Sequence, residues 1–324
     1  MSVSLSLWPQ GFEALISRRL ESFKREFGKA CALFDADETL WHGDIVEAHY
    51  ALMEVVRRQD AFHFTTHPKL QAEPEESMVA YYQRLYAAEG VHIAFEWACD
   101  VYGGHKTCDI LQETVLLFDK TRTDLNELSY PRPKFYEAQR QLLAWLKAHD
   151  VDSWVISASP EVLIHAALMA LNLTDLIPLH RGLGVNYALA LKGEKIDTIA
   201  LRRQTADASD RLEALMRNPE TKVTAERCGP LTWQEGKVEG FRLFHSAEAK
   251  PFLVAGDSPN DFAMQFLTPH DSGLRVRIAK DPAHEAKRLA TTEERAQREG
   301  WKHSVAEDLK GWIDIDPHPW RDQQ

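Results

Sequence analysis

The sequence predicts an α/β fold: a Rossmann-like parallel-sheet core interrupted by an inserted, mostly helical cap domain. Three observations predict it. Short apolar runs that end on, or lead directly into, acidic or hydroxyl residues recur at Ala30–Asp35, Val151–Ser157 and Pro251–Ala255, the last followed by Gly256–Asp257. Segments with helical periodicity lie between them, the alternation that builds a parallel sheet with right-handed crossovers. The stretch 42–131 reads as helices punctuated by Pro68, Pro74, Gly90, Gly103–Gly104 and Pro131.

The elements follow in order. Phe12, Leu15, Ile16, Leu20, Phe23 and Phe27 recur at helical spacing, which predicts a helix over Phe12–Glu26. Ala30–Asp35 (ACALFD) is too short for a helix and reads as a buried strand. Ile45–Arg57 and Glu75–Ala88 read as helices of the cap, with Tyr81, Tyr82, Tyr86, Phe95, Trp97 and Tyr102 crowding that region. A helix over Phe135–His149 leads into the second strand, Val151–Ser157. The third strand, Pro251–Ala255, ends on Gly256–Asp257, and a fourth, Leu274–Ala279, precedes a charged helix near 282–298. The charged segment Arg203–Glu226, broken by Asn218–Pro219, reads as an insertion of helix and loop. The expected division is 1–41 with 132–324 as the core and 42–131 as the cap.

Bulk properties narrow the function classes. The 324 residues carry 38 Lys and Arg against 49 Asp and Glu, a net charge of −11. No basic run stands out, so a nucleic-acid partner is not expected. The four cysteines show no CxxC spacing and read as free thiols. The opening residues lack a basic stretch followed by a sustained apolar one, and no window offers 18 uninterrupted apolar residues. The expectation is a cytoplasmic protein with no membrane span and an unspecified oligomeric state.

Three loops place reactive groups directly after strands, where open parallel sheets bind ligands. In Phe34-Asp35-Ala36-Asp37-Glu38-Thr39-Leu40, carboxylates at i and i+2 point to one side. One can attack phosphorus while the other gives and takes a proton. In Val155-Ile156-Ser157-Ala158-Ser159-Pro160, a hydroxyl and helix N-terminal amides could hold a phosphate oxygen, although Ser159 before proline fits a helix N-cap better. In Gly256-Asp257-Ser258-Pro259-Asn260-Asp261, Asp257 suits a magnesium ligand. Asp261 either orients it or is an ordinary first-turn acid. A cation must meet the phosphate, and Lys237 in Glu235-Gly236-Lys237 is preferred to Lys192 because its helix feeds the third strand.

These residues resemble the motifs of the haloacid dehalogenase superfamily: FDADETL the first, VISAS the second, EGK the third and GDSPND the fourth. The resemblance implies Asp35 as nucleophile, Asp37 as acid/base and Thr39 as support for the loop at the phosphate site. It further implies Ser157, Ala158 and Lys237 around the phosphate, and Mg²⁺ held by Asp35, the Asp37 carbonyl and Asp257, with Asp261 behind them. The presence of Asp37 favours phosphate ester over halide chemistry. Glu38 departs from the pattern, where Gly or Asn is more usual. The cap stretch Glu76–Leu85 and the segment 233–264 are similar to members that hydrolyse phosphocholine. The implied substrate is therefore a small phosphorylated metabolite such as phosphocholine or phosphoethanolamine, with Glu38, Trp41, Tyr81 and Tyr82 as candidate contacts. A phosphoserine or phosphoprotein substrate is the alternative, and a non-catalytic phosphate-ligand or protein-binding module is the alternative of another class.

Overall fold

Leu253, Val254 and Ala255 of one strand stand opposite Ala32, Leu33 and Phe34 of another in parallel register, and this pairing is the spine of the fold. The computed structural model describes residues 4–57, 64–204, 206–278 and 312–315. Its strands are β1 (Ala30–Phe34), β2 (Trp41–His42), β3 (Lys134–Phe135), β4 (Val151–Pro160), β5 (Gly182–Val185), β6 (Tyr187–Leu191), β7 (Glu194–Ile196), β8 (Lys222–Arg227), β9 (Leu253–Gly256), β10 (Leu274–Ile278) and β11 (Trp312–Ile315). Its helices are α1 (Phe12–Phe27), α2 (Ile45–Val56), α3 (Met78–Glu89), α4 (Val91–Asp100), α5 (Thr107–Phe118), α6 (Glu137–Ala148), α7 (Glu161–Ala170), α8 (Thr198–Gln204), α9 (Ala208–Arg217), α10 (Glu235–Arg242) and α11 (Phe262–Gln265). The charged helix expected near 282–298 lies outside the described residues.

Two compact units result: 1–42 with 135–156 and 232–324, and 43–134 with 157–231. In the first, strands run β11-β10-β9-β1-β4, all parallel. The α/β architecture is therefore the one the sequence predicts. Every residue of β1 and β9 is buried, as a sheet covered on both faces requires. Phe12, Ile16, Leu20 and Phe23 of α1 face this core, and the Phe23 ring meets Phe252 edge-on at 5.6 Å. Phe27, at the same spacing, is instead 40% exposed. Helix α6 begins at Glu137 rather than Phe135, because Lys134–Phe135 form a short strand.

The second unit is larger than the cap drawn from the sequence. Residues 157–231 join it because α5 packs against α7 and α9. Helix α2 is capped by Asp44, whose Oδ1 accepts the Val46 and Glu47 N–H groups at 2.8 and 3.1 Å, and α3 by Ser77. Tyr50, Phe64, Tyr81, Tyr82, Trp97 and Tyr102 pack ring against ring as its aromatic core. The segment 203–226 is not only helix and loop. It contains α9 and the strand β8, which joins an antiparallel sheet of order β7-β6-β8. In β8 Val223 is the one buried residue, so the strand lacks the alternation that would reveal it. A buried polar cluster lies beside α7. Arg202 Nη2 stands 2.5 Å from Glu161 Oε1 and 3.0 Å from His165 Nε2, and Asn186 and Thr198 donate to the same Glu161 oxygen.

Candidate active site

Adjacent parallel strands β1 and β9 end together, and that ending builds the site. The Asp35 N–H donates to the Ala255 carbonyl at 3.0 Å, extending the ladder one residue past Phe34. Asp257 follows two residues beyond Ala255. Carboxylate oxygens of Asp35, Asp257 and Asp261 all lie within 4.8 Å of one another, and all three residues are buried.

Lys237 enters this cluster from the first turn of α10. It is 1% exposed, and its Nζ donates to Asp35 Oδ1 and Asp261 Oδ1, each at 2.6 Å. An ammonium has three donors, so one is left for an incoming anion. Burial opposes the lysine's charge, yet Asp261 and Asp35 outweigh it and raise its pKa above the ordinary range. Asp35 is pushed well above the usual carboxylate range by burial and by its neighbours Asp261 and Asp257, with Lys237 pulling the other way. Lys192, the rival, is a turn residue. It joins β6 to β7 with φ 52, followed by Gly193 at φ 83, the pair of left-handed residues a tight hairpin needs. Its side chain is 74% exposed beside Glu220.

Asp261 organises the loop between β9 and α11. Its Oδ2 accepts the N–H groups of Asp257 and Ser258, both at 3.0 Å, while Oδ1 holds Lys237. Gly256 makes room for it: a Cβ there would sit 2.4 Å from Asp261 Oδ2. Both sequence readings of Asp261 have a bond here: its Oδ2 closes a capping box with Ser258 on the turn Pro259–Asp261, and its Oδ1 meets Lys237.

The loop after β1 folds back on itself. The Leu40 N–H donates to the Ala36 carbonyl at 2.8 Å, and Gln139 Nε2 of α6 donates to the Thr39 carbonyl at 2.9 Å. Thr39 is fully buried, and its hydroxyl has no hydrogen-bond partner among the described residues. Gln139 was missed, although it is a polar residue on the same helical stripe as Leu142, Leu143 and Leu146. Glu38 has φ 58, the left-handed region, which explains why glycine or asparagine is the commoner choice at this position. Its Oε2 lies 2.9 Å from His42 Nδ1.

Trp41 is wholly buried, so it does not offer an open aromatic face to a substrate, and its Nε1 donates to Asp37 Oδ1 at 2.8 Å. Tyr81 is equally buried, its hydroxyl donating to the Leu70 carbonyl and accepting the His67 N–H. Both are candidate substrate contacts in the sequence, and both are packed into their cores. Glu76 pairs with Arg84 at 2.7 Å. Ser157 belongs to the second unit, is buried, and accepts the Ser159 N–H at 3.1 Å. The N-cap position of α7 is Pro160 rather than Ser159, because β4 runs on to Pro160. Ala158 accepts a long contact from Cys99 Sγ at 3.9 Å.

The donor set fits a hard divalent cation. With every carboxyl ionised, these three acids and one ammonium carry a net formal charge of −2. All-oxygen ligation with one or two carboxylates is what Mg²⁺ prefers.

No protein-family model matches the chain. It is similar to the phosphorylcholine phosphatase of Pseudomonas aeruginosa, 25% identical over 297 residues that cover 86% of this chain and 82% of that protein. Its fold is similar to that of a conserved protein of unknown function from Anaerococcus prevotii, at TM-score 0.54 and 15% identity over 89% and 90% of the two chains. A substrate-bound phosphoserine phosphatase gives TM-score 0.43 at 11% identity over 80% of this chain and 90% of that one. Among the described residues no helix is long and apolar enough to cross a membrane.

Proposed function

We propose that the chain, a phosphatase of the haloacid dehalogenase type, is a Mg²⁺-dependent phosphomonoester hydrolase that works through an aspartyl-phosphate on Asp35. One observation carries the reading: Asp35, Asp257 and Asp261 gather in a buried cluster around Lys237 at the carboxyl ends of adjacent parallel strands. A site with that net charge has no use for an anionic ester unless a cation enters with it.

In this reading an Asp35 oxygen forms a bond to phosphorus as the ester P–O bond breaks, and the leaving oxygen takes the proton carried by Asp37. Water then loses a proton to Asp37 as its oxygen takes the phosphoryl group, which restores the Asp35 carboxylate. Splitting one displacement into two is what covalent catalysis contributes. The carboxylates of Asp35 and Asp257 and the Asp37 carbonyl would hold the metal, which supplies positive charge against the phosphoryl oxygens. Asp261 steadies Asp257 and Lys237, and the third Lys237 donor binds a phosphate oxygen. Ser157 is retained as the hydroxyl ligand. It follows Ile156 after Val155, the β4 residue registered against Phe34.

A small phosphorylated metabolite is the proposed substrate, phosphorylcholine first because of the Pseudomonas relative. A reducing, cytoplasmic setting is proposed, with Cys31, Cys99, Cys108 and Cys228 in no disulfide. The test is phosphate release from p-nitrophenyl phosphate, phosphorylcholine, phosphoethanolamine, phosphoserine and phosphotyrosine, with Mg²⁺ and with EDTA. Mg²⁺-dependent turnover that Asp35→Asn abolishes supports the reading. Absence of turnover alongside thermal stabilisation by phosphate would point to a binding module instead.

A further inference from the structure

We infer that Trp41 is the positioning residue for proton transfer, holding Asp37 so that Oδ2 carries the catalytic proton; this rests on the phosphatase reading above. The Trp41 Nε1–H donates to Asp37 Oδ1 at 2.8 Å. An indole N–H is a donor only, and a protonated carboxyl accepts better at its carbonyl oxygen than at its hydroxyl oxygen. The bond therefore favours the Asp37 proton on Oδ2, the oxygen from which it reaches the leaving group and to which water returns it.

The arrangement is built to be rigid. Trp41 is 0% exposed, so solvent does not compete for the indole hydrogen. Its backbone is tied at both ends of the loop: Asp37 and Trp41 form a parallel bridge, and the Leu40 carbonyl accepts the Tyr136 N–H at 3.0 Å. Gln139 fixes the intervening Thr39 carbonyl. An acid delivers its proton efficiently only when its oxygen is held within reach of the reacting group. Trp41 acts on the proton through Asp37.

The leaving group separates this role from a packing role. An alkyl phosphate expels an alkoxide that must be protonated as the P–O bond breaks, whereas 2,4-dinitrophenyl phosphate expels a stable phenolate that needs no proton. In Trp41→Phe the ring remains and the N–H is gone. We expect kcat/KM for phosphorylcholine to fall about 30-fold, part of the 10²–10⁴-fold that general acid catalysis supplies. For the dinitrophenyl ester the fall should be less than about threefold by the same principle. Asp37→Asn marks the ceiling for the same comparison. Should Trp41→Phe not fold, 3-benzothienylalanine placed at position 41 of the full chain keeps the indole shape with sulfur in place of N–H. Equal losses with both esters, or no loss with either, overturn the inference while leaving the phosphatase reading standing. If the unaltered chain hydrolyses neither ester, the phosphatase reading fails and takes the inference with it.

Discussion

The Lys237 ammonium donates to the Asp35 carboxylate at 2.6 Å across a sequence separation of 202 residues, with the lysine almost wholly buried. Removing one partner of a buried ion pair leaves the other charge uncompensated, at a cost of about 3–5 kcal/mol. Here Lys237→Met would strand Asp35 and Asp261 beside Asp257. The expected result is a urea midpoint lowered accordingly and phosphate release reduced about 10³-fold, the scale of losing a charge-stabilising donor. Arginine should not rescue it, because a planar fork cannot occupy the point between two carboxylates. Near-normal turnover by Lys237→Met would remove the lysine from the site.

Metal removal should be visible without any substrate. An ion that binds the native chain and not the unfolded one stabilises by about 2.7 kcal/mol at a hundredfold excess over its dissociation constant. Adding Mg²⁺ to EDTA-treated protein should therefore raise Tm by several degrees, and Asp257→Asn should erase that rise. An equal rise in wild type and Asp257→Asn would show that magnesium binds elsewhere.

Glu38 separates backbone strain from side-chain contact. A non-glycine residue in the left-handed region costs about 1–2 kcal/mol, and Glu38 sits at φ 58. Glu38→Gly loses the His42 contact at 2.9 Å but relieves that strain. Glu38→Ala loses the contact and keeps the strain. Glycine should come out more stable than alanine by about 1 kcal/mol in paired urea titrations. Equal stability would mean that the loop relaxes once the carboxylate is gone.

How much of this was legible in the sequence depends on the physics behind each part. Ala30–Phe34 is uniformly apolar and Asp35 stops it abruptly, so the strand and its terminal acid were both readable. Asp257 was readable for the same reason after Leu253–Gly256. The Trp41 indole bond to Asp37 had no sequence signature, because it depends on the turn between them rather than on a period. The membership of 157–231 in the second unit was hidden by α7. Glu161 to Leu168 are buried on every side, so hydrophobicity announces burial without naming the surface it meets. The β6–β7 hairpin was masked because lysine fills a turn position where asparagine or glycine is the usual cue.

Acid sensitivity should reside in part in His165, as it should in His105, whose imidazole burial likewise pulls down to about 4. Burial, with Glu161 opposing it and Arg202 adding to it, pulls the imidazole down to about 4 from its ordinary 6.5. The unfolded chain therefore takes up the proton first as pH falls, and the native chain only near 4. Stability from this group is undiminished above about 6.5 and drains away between there and about 4, by about 3 kcal/mol in all. In His165→Gln the urea midpoint should show a flatter slope across that window. An unchanged slope would place the acid sensitivity in other groups.

Gly256 is the tightest point of the candidate site, and its substitution tests whether Asp261 acts by orienting the loop. A methyl group at Gly256 would come within 2.4 Å of Asp261 Oδ2 and 2.5 Å of its Cγ, so the carboxylate must move. Moving it breaks the bonds to the Asp257 and Ser258 N–H groups and the grip on Lys237 Nζ together. Hydrogen bonds to charged groups are worth about 1.5–3 kcal/mol each, so Gly256→Ala should destabilise the chain by several kcal/mol. Asp261→Asn keeps the shape and an oxygen for the two amides while weakening the hold on Lys237. It should lower kcat with a small change in Tm, whereas Gly256→Ala should lower both. If Gly256→Ala retained full stability and full turnover, the carboxylate of Asp261 would not be what holds Asp257 and Lys237 in place.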